Sequence, residues 1–97
     1  MDEPYCVYIM TNETNTVLYV GFTGDLRGRV FAHRNKLVEG FTKRYNLVKL
    51  VYYEAGDSRD GALWREKQIK AGSRQNKMDL IDRMNPKWQD LYETLGM

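Results

Sequence analysis

Two short runs rich in aromatic and β-branched residues, YCVYIM at 5–10 and VLYVG at 17–21, flank six polar residues, TNETNT. Nothing else in the chain limits its fold as strongly. Runs of Val, Ile and Tyr bounded by Asn and Thr read as strands, and a six-residue polar connector suits a hairpin loop. The chain reverses across that loop, so the strands pair antiparallel and paired residue numbers sum to a constant. If Thr11 opposes Thr16, Tyr8 opposes Tyr19. Any odd sum keeps both phenols on one face, because side chains alternate with period two. Gly21 then ends the second strand, at a point where another group can approach the backbone.

A helix-like segment follows at once. Gly24 and Asp25 open it, Asp25 caps it, and Leu26, Val30, Leu37 and Val38 mark its apolar stripe over about 25–38. Arg29 and His33 are one helical turn apart and share a face bordering that stripe, so both side chains could reach the tyrosines. After a short basic, aromatic connector, FTKRYN, comes LVKLVYYE at 47–54, too continuously apolar for a half-exposed strand and therefore buried or central. AGDSRDG is turn chemistry, and Ser58 caps a second helix over about 59–71. Ala62, Leu63, Trp64 and Ile69 define what that helix buries. Glu66, three residues from both Leu63 and Ile69, falls in the middle of the same face, where a carboxylate is costly unless paired, hydrogen-bonded or metal-bound. Pairing with a basic neighbour at the stripe edge is the plainer account of it. A third helix, about 74–84, turns Leu80, Ile81 and Met84 inward. Asn85-Pro86 then reads as a cap and first helical residue of a terminal helix, about 86–95, with Trp88, Leu91, Tyr92 and Leu95 at helical spacing. The expected fold class is α+β: a small three-stranded antiparallel sheet (5–10, 17–21, 47–54) flanked by four helices.

Ninety-seven residues make one domain, 1–97, without repeats or low-complexity segments. A single cysteine, Cys6, excludes an intrachain disulfide and a zinc site built of several thiolates, and reads as a small buried hydrophobe. No apolar run approaches the length of a membrane span, and the acidic start MDEPYC is not a signal peptide, so the expected location is cytoplasmic. Net charge is only +2, but residues 27–77 hold thirteen of the fifteen Lys and Arg and five of the thirteen Asp and Glu. A basic middle of this kind suits a polyanion, whose condensed counterions Lys and Arg displace. A solvated basic surface is the equally simple alternative.

Cys6-Val7-Tyr8, the connector, Tyr19-Val20-Gly21, then Thr23, Leu26, Arg29 and His33 together resemble the signature of the GIY-YIG nuclease superfamily. That superfamily includes homing endonucleases, some restriction enzymes and the N-terminal nuclease domain of the nucleotide-excision-repair incision subunit. The resemblance is strongest to small stand-alone, excinuclease-like bacterial and archaeal proteins, and extends over FTKRYNLVKLVYYE, ALWREKQIK and NPKWQDLY, nearly the whole chain. Cys6 and Val7 depart from the Gly and Ile of the motif, but only its tyrosine has a chemical role.

Phosphodiester hydrolysis needs an activated water, neutralised phosphoryl oxygens and help for the leaving oxygen. A phenol is a weak base at its free pKa of about 10, and a nearby cation makes its phenolate more accessible. Arg29 presents a planar donor fork that suits phosphate. Glu66 could hold one hard divalent cation, Mg²⁺ or Mn²⁺, with waters and phosphate oxygens completing the shell, as is usual for Mg²⁺. The resemblance implies the same roles: Tyr8 and Tyr19 at the water, Arg29 on the phosphate, His33 near the site and Glu66 on the metal. It also implies substrate contacts from Lys43, Arg44 and Tyr45, and offers Asn85, also readable as a cap, as counterpart of an asparagine that some members place in the site. Which tyrosine is the base stays open. Taken singly, each residue has a plainer structural reading; the ordered set is what points to catalysis.

The expected function is metal-dependent endonuclease action on DNA, branched or damaged DNA of repair and recombination included, by a monomer that takes sequence specificity from a protein partner. A non-catalytic nucleic-acid-binding or adaptor module retaining the fold is the alternative. A purely structural protein is a third, which the complete tyrosine, arginine and glutamate set disfavours.

Overall fold

The two aromatic runs pair as a hairpin, two residues away from the simplest register. In the computed structural model, which describes residues 4–95, β1 (Tyr5–Thr11) and β2 (Leu18–Thr23) are antiparallel, with Tyr8 opposite Gly21 and Met10 opposite Tyr19. Tyr8 therefore does not oppose Tyr19, but the pairing sum is still odd and the phenols share a face. Asn12 sets the shift. Its Oδ1 accepts from Thr16 N at 2.8 Å and Val17 N at 3.2 Å, while Thr11 Oγ1 donates to Val17 O at 2.7 Å. Side-chain bonds of this type hold a loop closed without strand pairing. The second strand does not end at Gly21: Phe22 and Thr23 continue the ladder opposite Val7 and Cys6.

The third strand, β3 (Lys49–Gly56), joins the other side of β1, giving the order β2-β1-β3. It is buried, as its apolar run requires, yet it is an edge rather than the centre. The chain's last segment covers that edge. Leu91 N donates to Leu50 O at 2.7 Å, Leu50 N donates to Asp90 Oδ1 at 3.2 Å, and Asn85 Nδ2 donates to Val51 O at 3.1 Å. Val51 is the extra residue of a β-bulge facing the Ile9–Met10 step, so its carbonyl needs a partner from outside the ladder.

Four helices surround the sheet. The first, α1 (Leu26–Arg34), is capped by Asp25, which accepts from Gly28 N at 3.0 Å. It stops four residues short of the expected 38. Lys36 takes a left-handed φ of 57° while Lys36 N and Leu37 N donate to the carbonyls of His33 and Ala32. This is the hydrogen-bond pattern of a helix stop, with lysine where glycine is usual. Leu37 is consequently 66% exposed instead of lying on an apolar stripe. The FTKRYN connector is itself a helical turn, α2 (Phe41–Arg44), stopped the same way at Asn46. The long helices, α3 (Arg59–Ala71) and α4 (Arg74–Met84), have the bounds expected of them, and Ser58 and Ser73 cap their N-termini.

Residues 86–95 are not a helix, despite their helical spacing. Trp88 has φ 53°, and only one 3₁₀ turn forms, Tyr92–Thr94. Asn85 is the C-cap of α4 and not an N-cap. One backbone group that a helix would have used internally, Leu91 N, is spent on β3, and the apolar residues at 91, 92 and 95 pack on the sheet from an irregular backbone.

Two cores result. Val7, Ile9, Val20 and Val51 pack with Ala62 and Ile69 of α3 and Ile81 of α4 on one sheet face; Tyr8, Met10 and Leu50 pack with Val30 of α1 and Leu47 on the other. Trp64 and Met84, expected inside, are 64% and 42% exposed. Trp64 lies roughly opposite the Ala62, Glu66, Ile69 stripe on a helix that advances 3.6 residues per turn. Among the described residues no helix is long and apolar enough to cross a membrane.

Candidate active site

Tyr8 sits in the central strand with 2% of its surface exposed, and its ring has room because Gly21 lies opposite. A Cβ on Gly21 would stand 2.6 Å from the Tyr8 hydroxyl oxygen and 3.0 Å from Tyr19 Cε2. The absence of a side chain at that position is what lets the two phenols approach, with ring centroids 6.3 Å apart. His33, on the inner side of α1, completes the group: its centroid is 5.8 Å from each tyrosine ring.

The polar atoms form a buried line. Tyr8 Oη lies 3.0 Å from His33 Nε2, and His33 Nδ1 lies 3.0 Å from Thr42 Oγ1 in α2. Burial, and secondarily the Arg29 guanidinium, hold His33 down at about 4, so the imidazole is neutral at pH 7. Burial raises the Tyr8 phenol above its ordinary range; Tyr19 and Glu66 add to that rise and Arg29 opposes it. Either neutral tautomer satisfies both contacts: with the proton on Nδ1 the Tyr8 hydroxyl donates to Nε2, and with it on Nε2 the imidazole donates to Tyr8 and Thr42 donates to Nδ1.

Arg29, one turn before His33 on α1, is exposed, and its charge reaches both Tyr8 and His33. Glu66 comes from the other side. It lies on the sheet-facing stripe of α3, 8% exposed, and its charge acts on Tyr8. Lys70, one turn on, bonds Glu66 Oε2 at 3.1 Å and sits 5.9 Å from the Tyr19 ring centroid. The carboxylate is therefore both buried on the apolar face and paired with a basic neighbour.

Two phenols and an imidazole pack ring against ring, and the charges of Arg29 on α1 and Glu66 on α3 act on the Tyr8 phenol, five residues spread over 8–66. A model of the GIY-YIG catalytic domain matches residues 4–79, a span that holds all five. The chain belongs to the GIY-YIG superfamily. It is a nuclease-like domain of that family, and its relatives are small proteins like itself. A UPF0213 protein of Staphylococcus saprophyticus is 40% identical over 84% of this chain and 96% of its own length. A UPF0213 protein of Syntrophus aciditrophicus is 42% identical over 82% and 91%, and one from the archaeon Haloquadratum walsbyi is 34% identical over 84% and 91%. The solution NMR structure of a UPF0213 protein from Bacillus halodurans has the same fold, with a TM-score of 0.57 over 96% of this chain and 97% of that one at 24% identity.

Beyond the GIY-YIG set, Lys43, Arg44 and Tyr45 are all exposed on and just after α2. Lys43 bonds Glu39 at 2.6 Å, and the Arg44 guanidinium lies 5.5 Å from the Tyr45 ring centroid. Asn85 is occupied elsewhere: besides Val51 O, its Nδ2 donates to Gln89 O at 2.8 Å and its Oδ1 accepts from Gln89 N at 3.1 Å. Those bonds fix the turn after α4. Residues the sequence did not single out are Thr42, which orients the imidazole, Phe41, which stacks on Tyr19, and Lys70, which holds Glu66. Only Lys70 left a local sign, four residues after Glu66, the spacing at which helix charges meet.

Proposed function

We propose that this chain is a phosphodiesterase that cuts the backbone of DNA, branched or damaged substrates of repair and recombination included, with residues 1–97 acting as one catalytic module. Water is added across a phosphodiester, giving a phosphomonoester and an alcohol. The observation that carries this reading is the buried Tyr8–His33–Thr42 line, which fixes the Tyr8 oxygen beside Tyr19. A water at the tyrosine pair would lose its proton to a phenol oxygen in its phenolate form, which the Arg29 charge favours at Tyr8. The resulting hydroxide attacks phosphorus. Arg29 meets the charge that grows on the phosphoryl oxygens, and Tyr19 orients the water from the other side.

The donors here are hard oxygens, one carboxylate and two phenols, and no group of three or more metal-ligating side chains occurs among the described residues. Such a set fits Mg²⁺ or Mn²⁺ held through Glu66 with water and phosphate filling the shell, and does not fit a softer ion. Bound there, the ion supplies Lewis-acid polarisation of the phosphate or leaving oxygen. The Lys70 ion pair is the observation that favours a second reading, a binding module that retains the fold, because the ammonium already neutralises the carboxylate.

Incubation with branched, nicked and single-stranded DNA and RNA, with Mg²⁺, with Mn²⁺ and with chelator, separates the two. The nuclease reading expects metal-dependent product that Glu66→Gln abolishes while binding is kept, and expects Tyr8→Phe and Arg29→Ala to do likewise. Undiminished cleavage by Glu66→Gln removes the metal role. Salt-sensitive binding with no product on any substrate supports the binding module.

A further inference from the structure

Three aromatic rings lead away from the site in a row. Tyr19 stacks on Phe41 with centroids 6.2 Å apart and planes inclined 27°, and Phe41 meets Tyr45 at 4.7 Å. The inner ring is part of the candidate site; the outer two are exposed, 47% for Phe41 and 40% for Tyr45. Cations border the row at both ends, Arg44 beside Tyr45 and Lys70 beside Tyr19. A cavity of about 340 Å³ opens alongside, lined by Leu18, Tyr19, Val20, Phe41, Lys70 and Lys77. Its walls are apolar and aromatic, and both of its charges are positive.

We propose that this row and cavity form a stacking platform for an unpaired base, so that the substrate presents single-stranded nucleotides directly beside the phosphate that is cut. The inference rests on the nuclease reading and names its substrate class. A base within a duplex has both faces covered by neighbouring pairs and cannot stack on a protein ring. An unpaired base can, and every base has a π-face, so the preference is for structure and not for sequence. The flanking lysines and arginine match the sugar-phosphate chain that must run past the rings. A protein partner would be the other occupant of exposed aromatics, but Arg44 at one end of the row and Lys77 beside Lys70, itself paired with Glu66, at the other favour the polyanion next to a phosphate-handling site.

The test is binding in chelator, where no cleavage intrudes, using single-stranded DNA and duplex DNA of equal length, each with a 2-aminopurine reporter. The wild-type protein is expected to bind the single strand more tightly and to quench its reporter. Phe41→Ala should weaken single-strand binding by about tenfold or more and leave duplex binding unchanged, since alanine substitution under a stacked base has effects of that order. Phe41→Trp should keep both affinity and quenching. Tyr45→Ala, which does not touch Tyr19, should repeat the single-strand loss if the row is read correctly. Equal affinity for the two forms, tighter duplex binding, or parallel loss on both forms in Phe41→Ala overturns the platform. Absence of cleavage with selective single-strand binding intact defeats the nuclease reading alone; cleavage with no single-strand preference defeats the platform alone.

Discussion

Acidification is the most informative perturbation, because the chain has one histidine and that histidine is buried. His33 falls from its ordinary 6.5 to about 4 in the folded protein, chiefly through desolvation. Below pH 6.5 the unfolded chain takes up a proton that the native state refuses, so stability declines as pH falls and the decline is complete near pH 4. The sign follows from proton counts: between those two values the unfolded state binds more protons, and stability rises with pH. At about 1.4 kcal/mol per pKa unit the whole effect is about 3 kcal/mol, of which about 2 kcal/mol is lost between pH 7 and pH 5. Urea unfolding of the wild type and of His33→Gln at both pH values isolates this contribution, since carboxylates such as Glu54 act equally in the two proteins. Imidazole resonances in an NMR titration give the same quantity directly. A histidine that titrates near 6.5, or a variant with the wild-type loss between pH 7 and pH 5, would refute the buried Tyr8–His33–Thr42 line.

Gly21→Ala places a methyl against the Tyr8 hydroxyl and Tyr19 ring, neither of which can retreat freely, and should destabilise by about 1–3 kcal/mol; an unchanged urea midpoint would show that the rings have slack. Asn85→Ala leaves the buried Val51 carbonyl and the Gln89 backbone without partners, and should cost about 1–3 kcal/mol in the same measurement with no change in nucleic-acid affinity.

Most of the hairpin, the two long helices and the Ser58 cap can be read from local pattern, because strand alternation and helix capping are decided by neighbours in the chain. The shared face of Tyr8 and Tyr19 is legible for the same reason, since any odd register satisfies it. Glu66 could be placed on an apolar face from spacing alone, though its ion pair with Lys70 needed the side-chain rotamers. The terminal segment was misleading because helical spacing at 88, 91, 92 and 95 records which residues are buried, not what backbone carries them. An edge strand in need of hydrogen bonds took Leu91 N and the Asp90 and Asn85 side chains instead.

By itself the sequence determines the α+β class, the pairing of the first two strands, the family, and the kinds of side chain available to a phosphate. Those properties depend on periods of two and 3.6 residues and on an ordered motif, all short-range. The three-dimensional packing alone decided that β3 is an edge, that Thr42 orients His33, and that Phe41 continues the line of Tyr19. Each of these joins residues distant in the chain or set by a helix stop, and such contacts depend on how whole elements dock, which no local spacing encodes.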